Sequence, residues 1–131
     1  MTRSATRAAY HRPRTLDGAL ELLADHTDAR PLAGGTDLFL GAEPPPRVLV
    51  SLRAVEELSG IEAGRIGALT TANEIARSTE IQRDWPVLSQ AASRLGSEQI
   101  RNVATIGGNL CRAAPCADTA PPLLVYEAAV D

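Results

Sequence analysis

The chain contains no lysine; its 13 Lys/Arg positions are all arginine. That excludes a phosphate-loop lysine, a Schiff-base lysine and a lysine general base. Aromatic side chains are almost missing too, with Tyr10, Phe39, Trp85 and Tyr126 the whole set. The core must therefore come from Leu, Ile, Val and Ala. No apolar run reaches the roughly 18 residues of a membrane-spanning helix. The first residues, Met1 to Arg7, have no apolar stretch of the kind a secretory signal needs. A net charge of −3 argues against a general nucleic-acid surface. The two cysteines, Cys111 and Cys116, match no zinc spacing and have no histidine nearby. Free thiols, no metal site and a reduced cytoplasmic setting are the expectation.

What remains is an ordinary apolar content of 44% over 131 residues, enough for one domain with a core. Thr15 reads as the N-cap of an amphipathic helix over Leu16 to Ala24, carried by Leu16, Ala19, Leu20 and Leu23. Arg30 to Ala33 reads as a short strand, with one helical turn over Asp37 to Gly41 and a stiff connector over Glu43 to Pro46. Arg47 to Leu52 reads as a strand buried on both faces. A helical turn over Val55 to Leu58 and a tight hairpin about Ala63 and Gly64 follow. Thr71 and Glu74 form a capping box for a helix reaching about Ser78. Pro86 opens the next helix and Gly96 ends it. Ile100 to Ala104 leads into a second glycine motif, and Thr119 with Pro121 and Pro122 is expected to start a last helix, Leu123 to Ala128. Strands interleaved with helices define a mixed α/β (α+β) fold. Arg3, Arg7, Arg12 and Arg14 read as a solvated cluster, with residues 1–9 as an arm.

Two double-glycine motifs stand out. The first is Leu32, Ala33, Gly34, Gly35, Thr36, Asp37 and Leu38; the second is Thr105, Ile106, Gly107, Gly108 and Asn109. Glycine pairs adopt positive φ and have no Cβ, so successive N–H groups can converge on an anion. Either motif alone also suits a bare turn. Together they suggest two loops that clamp one diphosphate, with Thr36, Thr105 and Asn109 as extra donors. Asp37 is awkward beside an anion and is expected to turn away and cap the following turn. Asp118 reads as an N-cap of the last helix, a role that can coexist with accepting from ligand hydroxyls. His11 and His26 read as local structural residues. No general acid, base or nucleophile is expected.

These residues carry a family resemblance over nearly the whole length. The chain resembles the N-terminal half of the FAD-binding (medium) subunit of the molybdenum hydroxylases, of the xanthine dehydrogenase and carbon monoxide dehydrogenase type. The resemblance rests on Tyr10 to Pro13, Leu32 to Leu38, Ile66 to Thr71, Gln99 to Leu110 and Ala114 to Asp118. It implies the FAD-binding fold of the molybdopterin-dehydrogenase type, truncated. A small βα subdomain would span about residues 10–62, and the start of a second subdomain about 63–131. The C-terminal domain is then expected to be absent. It further implies FAD as cofactor, with Leu32 to Leu38 and Thr105 to Asn109 around its diphosphate and Asp118 on its hydroxyls. A molybdopterin large subunit and a [2Fe–2S] small subunit are the implied partners, with electrons leaving to NAD+ or another acceptor. A truncated homologue serving as a binding or assembly module without FAD is the alternative. Another FAD enzyme with a two-loop clamp, such as a cell-wall sugar reductase, fits Gln99 to Asn102 and Asp118 less well.

Overall fold

A computed structural model describes residues 8–40 and 46–131. Its first unit is a three-stranded parallel sheet with the order β1-β3-β2. β1 is Ala9–His11, β2 Ala29–Leu32 and β3 Val48–Ser51. β3 lies between the other two, with Val48 opposite both Ala9 and Ala29. That central place explains its unbroken apolar run. Val48, Val50 and Ser51 are buried, as a parallel strand covered on both sides requires. Helix α1, Leu16–Asp25, begins where Thr15 Oγ1 accepts from the Gly18 N–H at 3.2 Å. Its Ala19, Leu22 and Leu23 pack with Ala29, Val48, Val50 and Leu52 into one apolar cluster.

The second unit is mostly helical. A 3-10 turn at Glu56–Leu58 precedes a hairpin of β4, Ile61–Glu62, and β5, Arg65–Ile66. Ala63 and Gly64 both have positive φ, at 47° and 81°, as a two-residue hairpin loop demands. Helix α2, Ala72–Arg77, starts in the full capping box of Thr71 and Glu74. Ser78 closes α2 and caps α3, Thr79–Asp84, by accepting from the Ile81 N–H. α4, Pro86–Arg94, opens on Pro86, and Gly96 turns the chain out of it at φ 50°. α5 is Glu98–Arg101, α6 Ile106–Arg112 and α7 Ala120–Val125. Ala72, Ile75, Ile81, Leu88, Ala92 and Ile106 form the second apolar cluster.

Several expectations need correction. β1 takes in Ala9, the last residue of the stretch read as an arm, because Ala9 pairs with Val48. β2 runs one residue earlier than expected. α3 and α5 lie in stretches read as connections. Each is short and is started by a single serine cap, Ser78 or Ser97. The last helix begins at Ala120 rather than Leu123, since Pro121 and Pro122 sit in the first turn, where no N–H is needed. It ends before Glu127, whose φ is 54°. Gly41, and with it part of the expected turn, lies outside the described residues. So do Arg3, Arg7 and the connector from Glu43 to Pro45.

Replacing Ile75, which is 1% exposed, with alanine should cost about 2–5 kcal/mol in urea unfolding. Leu124→Ala, at 78% exposed, should cost less than about 0.5 kcal/mol.

Candidate cofactor site

The first glycine motif follows the carboxyl end of β2, the edge at which parallel α/β sheets place their ligands. The ladder ends with the Leu52 N–H donating to the Leu32 carbonyl at 2.9 Å. Beyond it, no backbone N–H of Ala33, Gly34, Gly35, Thr36, Asp37 or Leu38 finds an acceptor among the described residues. These six residues are half-buried. Gly35 has φ 73°, the left-handed region glycine favours. Unpaired amides in succession at a turn form a concavity suited to an anion.

The second motif is not a loop. Thr105 is the N-cap of α6, and Gly107 and Gly108 lie in its first turn. Its amides are already engaged: Ile106 donates to the Thr70 carbonyl at 3.0 Å and Gly107 to the Ala68 carbonyl at 2.9 Å. Gly108 donates to Thr105 Oγ1 at 3.2 Å, and Asn109 to the Thr105 carbonyl at 2.9 Å. The expected second set of amide donors is therefore occupied within the protein. The reason lies in the cap: Thr105 starts a helix, and an antiparallel bridge to Thr71 holds its start. What the motif presents instead is a helix N-terminus with glycine on its exposed side at Gly108.

The fold brings the two motifs together. At Gly34 a Cβ would fall 2.0 Å from the Val103 carbonyl oxygen, so the first loop rests on the segment entering α6. A second link is an ion pair in which Arg112 Nε donates to Asp37 Oδ2. Asp37 thus does turn aside, but toward Arg112 rather than onto its own turn. Only its backbone carbonyl serves the turn, accepting from Leu40. Arg101, one of the cations nearest in sequence, is spent on the Gly96 and Leu95 carbonyls.

Asp118 is exposed, and its carboxylate takes no side-chain hydrogen bond among the described residues. It does not cap α7, which has no side-chain cap. Next to it, buried Thr119 donates to Asn109 Oδ1 at 2.5 Å and ties the approach to α7 to the second motif. One more residue belongs here that the sequence did not single out. Arg53 Nε donates to the Ala33 carbonyl at 3.3 Å. Parallel pairing of Leu32 with Ser51 is the signal that would have placed it there. Ser51 Oγ itself is buried without a partner among the described residues. An unmade buried hydrogen bond costs about 1–3 kcal/mol, so the strand end beside the loop keeps unused bonding capacity.

Two open hollows lie elsewhere. One of about 590 Å³ is lined by Arg12, Arg14, Thr15, Arg53, Ala54, Glu56 and Glu57. The other, about 420 Å³, is lined by Thr71, Asn73, Glu74, Arg77 and Asn102. Neither includes a residue of either glycine motif, though Arg53 of the first hollow also reaches the Ala33 carbonyl. Cys111 and Cys116 are exposed and unbridged. His11 and His26 stack with ring centres 5.8 Å apart. Among the described residues, no helix is long and apolar enough to cross a membrane.

A parallel βα unit and a helical unit meet where the first glycine motif rests on the segment entering the second. Residues 4–131 match the family described as FAD binding domain in molybdopterin dehydrogenase, and the chain belongs to that family. It is 43% identical over 132 residues to the xanthine dehydrogenase FAD-binding subunit of Escherichia coli O157:H7, covering 95% of this chain and 45% of the relative. It is 34% identical to the carbon monoxide dehydrogenase medium chain of Hydrogenophaga pseudoflava, covering 93% of this chain and 45% of the relative. In the reconstituted CO dehydrogenase from Oligotropha carboxidovorans, a chain superposes with TM-score 0.81 at 33% identity. That match covers 91% of this chain and 44% of the other. The chain thus spans less than half the length of these relatives. FAD is the cofactor of the family, as the resemblance implied.

Gly34→Ala should lower stability by about 1–3 kcal/mol, because the Val103 carbonyl must move to admit a Cβ. Gly35→Ala should cost about 1–2 kcal/mol for its left-handed φ alone. Urea unfolding of both variants checks the pair.

Proposed function

We propose that this chain holds the diphosphate end of FAD within the flavin subunit of a molybdenum-containing dehydrogenase. Leu32 to Leu38 supply the amide donors. The observation that carries this reading is the run of N–H groups from Ala33 to Leu38 that find no acceptor among the described residues, set against the second motif. Thr105, Ile106, Gly107, Gly108 and Asn109 supply shape rather than free amides, since their N–H groups from Ile106 to Asn109 are already bonded within the protein. Gly108, on the outward side, lets a ligand approach the backbone closely, while Gly107 seats the helix start against Ala68. Asp118, exposed and unbonded among the described residues, accepts hydrogen bonds from ribose or ribityl hydroxyls. The two apolar clusters support a boundary near residue 62 between a first and a second subdomain.

When bound, the flavin ring supplies the redox chemistry, and the protein's task is to bind and orient it. The chain's own groups then do three things. The amides meet the diphosphate, the glycines let it lie close, and Asp118 fixes the sugar or ribityl chain. In the working assembly, electrons reach this subunit from [2Fe–2S] clusters in a small subunit, after substrate oxidation in a molybdopterin large subunit. They leave to NAD+ or another acceptor, in a cytoplasmic setting that suits the two free thiols.

The test is flavin fluorescence during titration with FAD and, separately, riboflavin. FAD should bind and riboflavin should not, because only FAD carries the diphosphate. Asp118→Asn should weaken FAD by about tenfold, the size of one lost hydrogen bond to a charged group. Riboflavin binding as tightly as FAD would refute the diphosphate clasp. A chain that binds neither would favour the assembly module without flavin.

A further inference from the structure

Asp37 puts a carboxylate at the end of the loop that offers its amides to a diphosphate. Unit charges of like sign about 4 Å apart repel by on the order of 1–4 kcal/mol between water and protein-surface dielectric values. The site thus contains a group that opposes its own ligand. The structure also contains the answer: Arg112 Nε donates to Asp37 Oδ2, from the last turn of the helix that the second motif begins. No other cation pairs with Asp37 among the described residues. Arg53, the other arginine on the loop, spends its Nε on the Ala33 carbonyl.

The pair is of little use as a structural brace. Its side chains are 59% and 43% exposed, and exposed ion pairs contribute little to stability. The two motifs are already held by the close packing of Gly34 on Val103, a contact between backbones. The pair lies beside amides that find no acceptor among the described residues, and that position gives it an electrostatic role.

We infer that Arg112 is the counter-ion that cancels the Asp37 carboxylate at the diphosphate shelf. It is a positioning residue for charge, acting on the ligand through Asp37. The inference rests on the FAD reading above. It predicts opposite behaviour for the two halves of one ion pair. Removing Arg112 bares a carboxylate toward the diphosphate. Removing Asp37 bares a guanidinium, which a diphosphate welcomes.

The experiment is FAD titration by fluorescence of the 131-residue chain and of the variants Arg112→Gln, Asp37→Asn and the double variant. Urea midpoints of the free proteins serve as the fold control. Arg112→Gln should weaken FAD by about tenfold, and the penalty should shrink to within about threefold at 0.5 M salt, where screening is short-ranged. Asp37→Asn should bind at least as tightly as the wild type. The double variant should return to within about twofold of wild type, the mark of a charge effect relieved with its source. A brace would instead weaken FAD in both single variants and show no recovery in the double. That pattern, or Arg112→Gln binding within about twofold of wild type, overturns the inference while wild-type binding leaves the FAD reading intact. A wild-type chain that binds no FAD overturns the FAD reading, and this inference with it.

Discussion

The arrangement of the site depends on how closely the chain at Gly34 approaches the Val103 carbonyl. A Cβ there would lie 2.0 Å from that oxygen, so the approach is open to glycine alone. On one side of the contact is the parallel sheet with its cluster of Ala19, Ala29, Val48 and Val50. On the other is the helical unit, built on Ile75, Ile81, Leu88 and Ile106. The two glycine motifs are separated by most of the helical unit in sequence, yet each sits on its own unit's edge at this contact. A cofactor that touches both motifs would bridge the two units. The backbone contact fixes their spacing without any side chain to adjust it, and close-packed interiors transmit such constraints.

The same logic runs through α6. Its start is held at Thr70 and Ala68 by backbone hydrogen bonds, and its third amide by its own Thr105 cap. At Gly107 a Cβ would come within 2.8 Å of Ala68. The second glycine pair is thus used twice. Gly107 allows the helix start to pack on the turn after β5, and Gly108 leaves the outward side bare. The division of labour differs from that of two equal loops. One motif leaves its amides without acceptors among the described residues; the other offers a surface without side chains at Gly108.

How much of this was legible followed the range of the interactions. Local signals read directly: the Thr15 cap, the Thr71 and Glu74 box, the hairpin at Ala63 and Gly64, and the Gly96 stop all depend on neighbours a few residues away. The apolar run of β3 read correctly because burial on both faces leaves a continuous pattern. β1 was invisible, since three residues of a strand show no period and only pairing with Val48 to Val50 defines them. α3 and α5 were missed because one serine and a few residues make a weak signal beside the longer helices. The conformation of the second motif was misjudged for a related reason. Paired glycines suggest a turn by propensity, but a threonine cap and anchorage at Thr70 and Ala68 override it. Arg53 could not be found by proximity in sequence, and Arg112, close after the second motif in the chain, gave no sign there of its partner Asp37. Arg53 reaches Ala33 through strand register, and Arg112 reaches Asp37 only when the two units meet.

The absence of lysine bears on how such a site is charged. Arginine alone must balance Asp37, and its planar fork pairs with a carboxylate in a fixed geometry. A lysine ammonium would be a more mobile, more strongly hydrated charge. Cations aimed straight at a diphosphate would make its affinity strongly salt-dependent, whereas oriented amides carry no net charge to be screened. With Arg112 turned to Asp37, the pair is close to neutral, and on the proposed reading the field a diphosphate meets comes from the amides after β2. Such a field is set by the backbone and needs little rearrangement when a ligand arrives. It also keeps its direction only while Gly34 holds the loop against Val103, which returns the electrostatics of the site to the packing that made it.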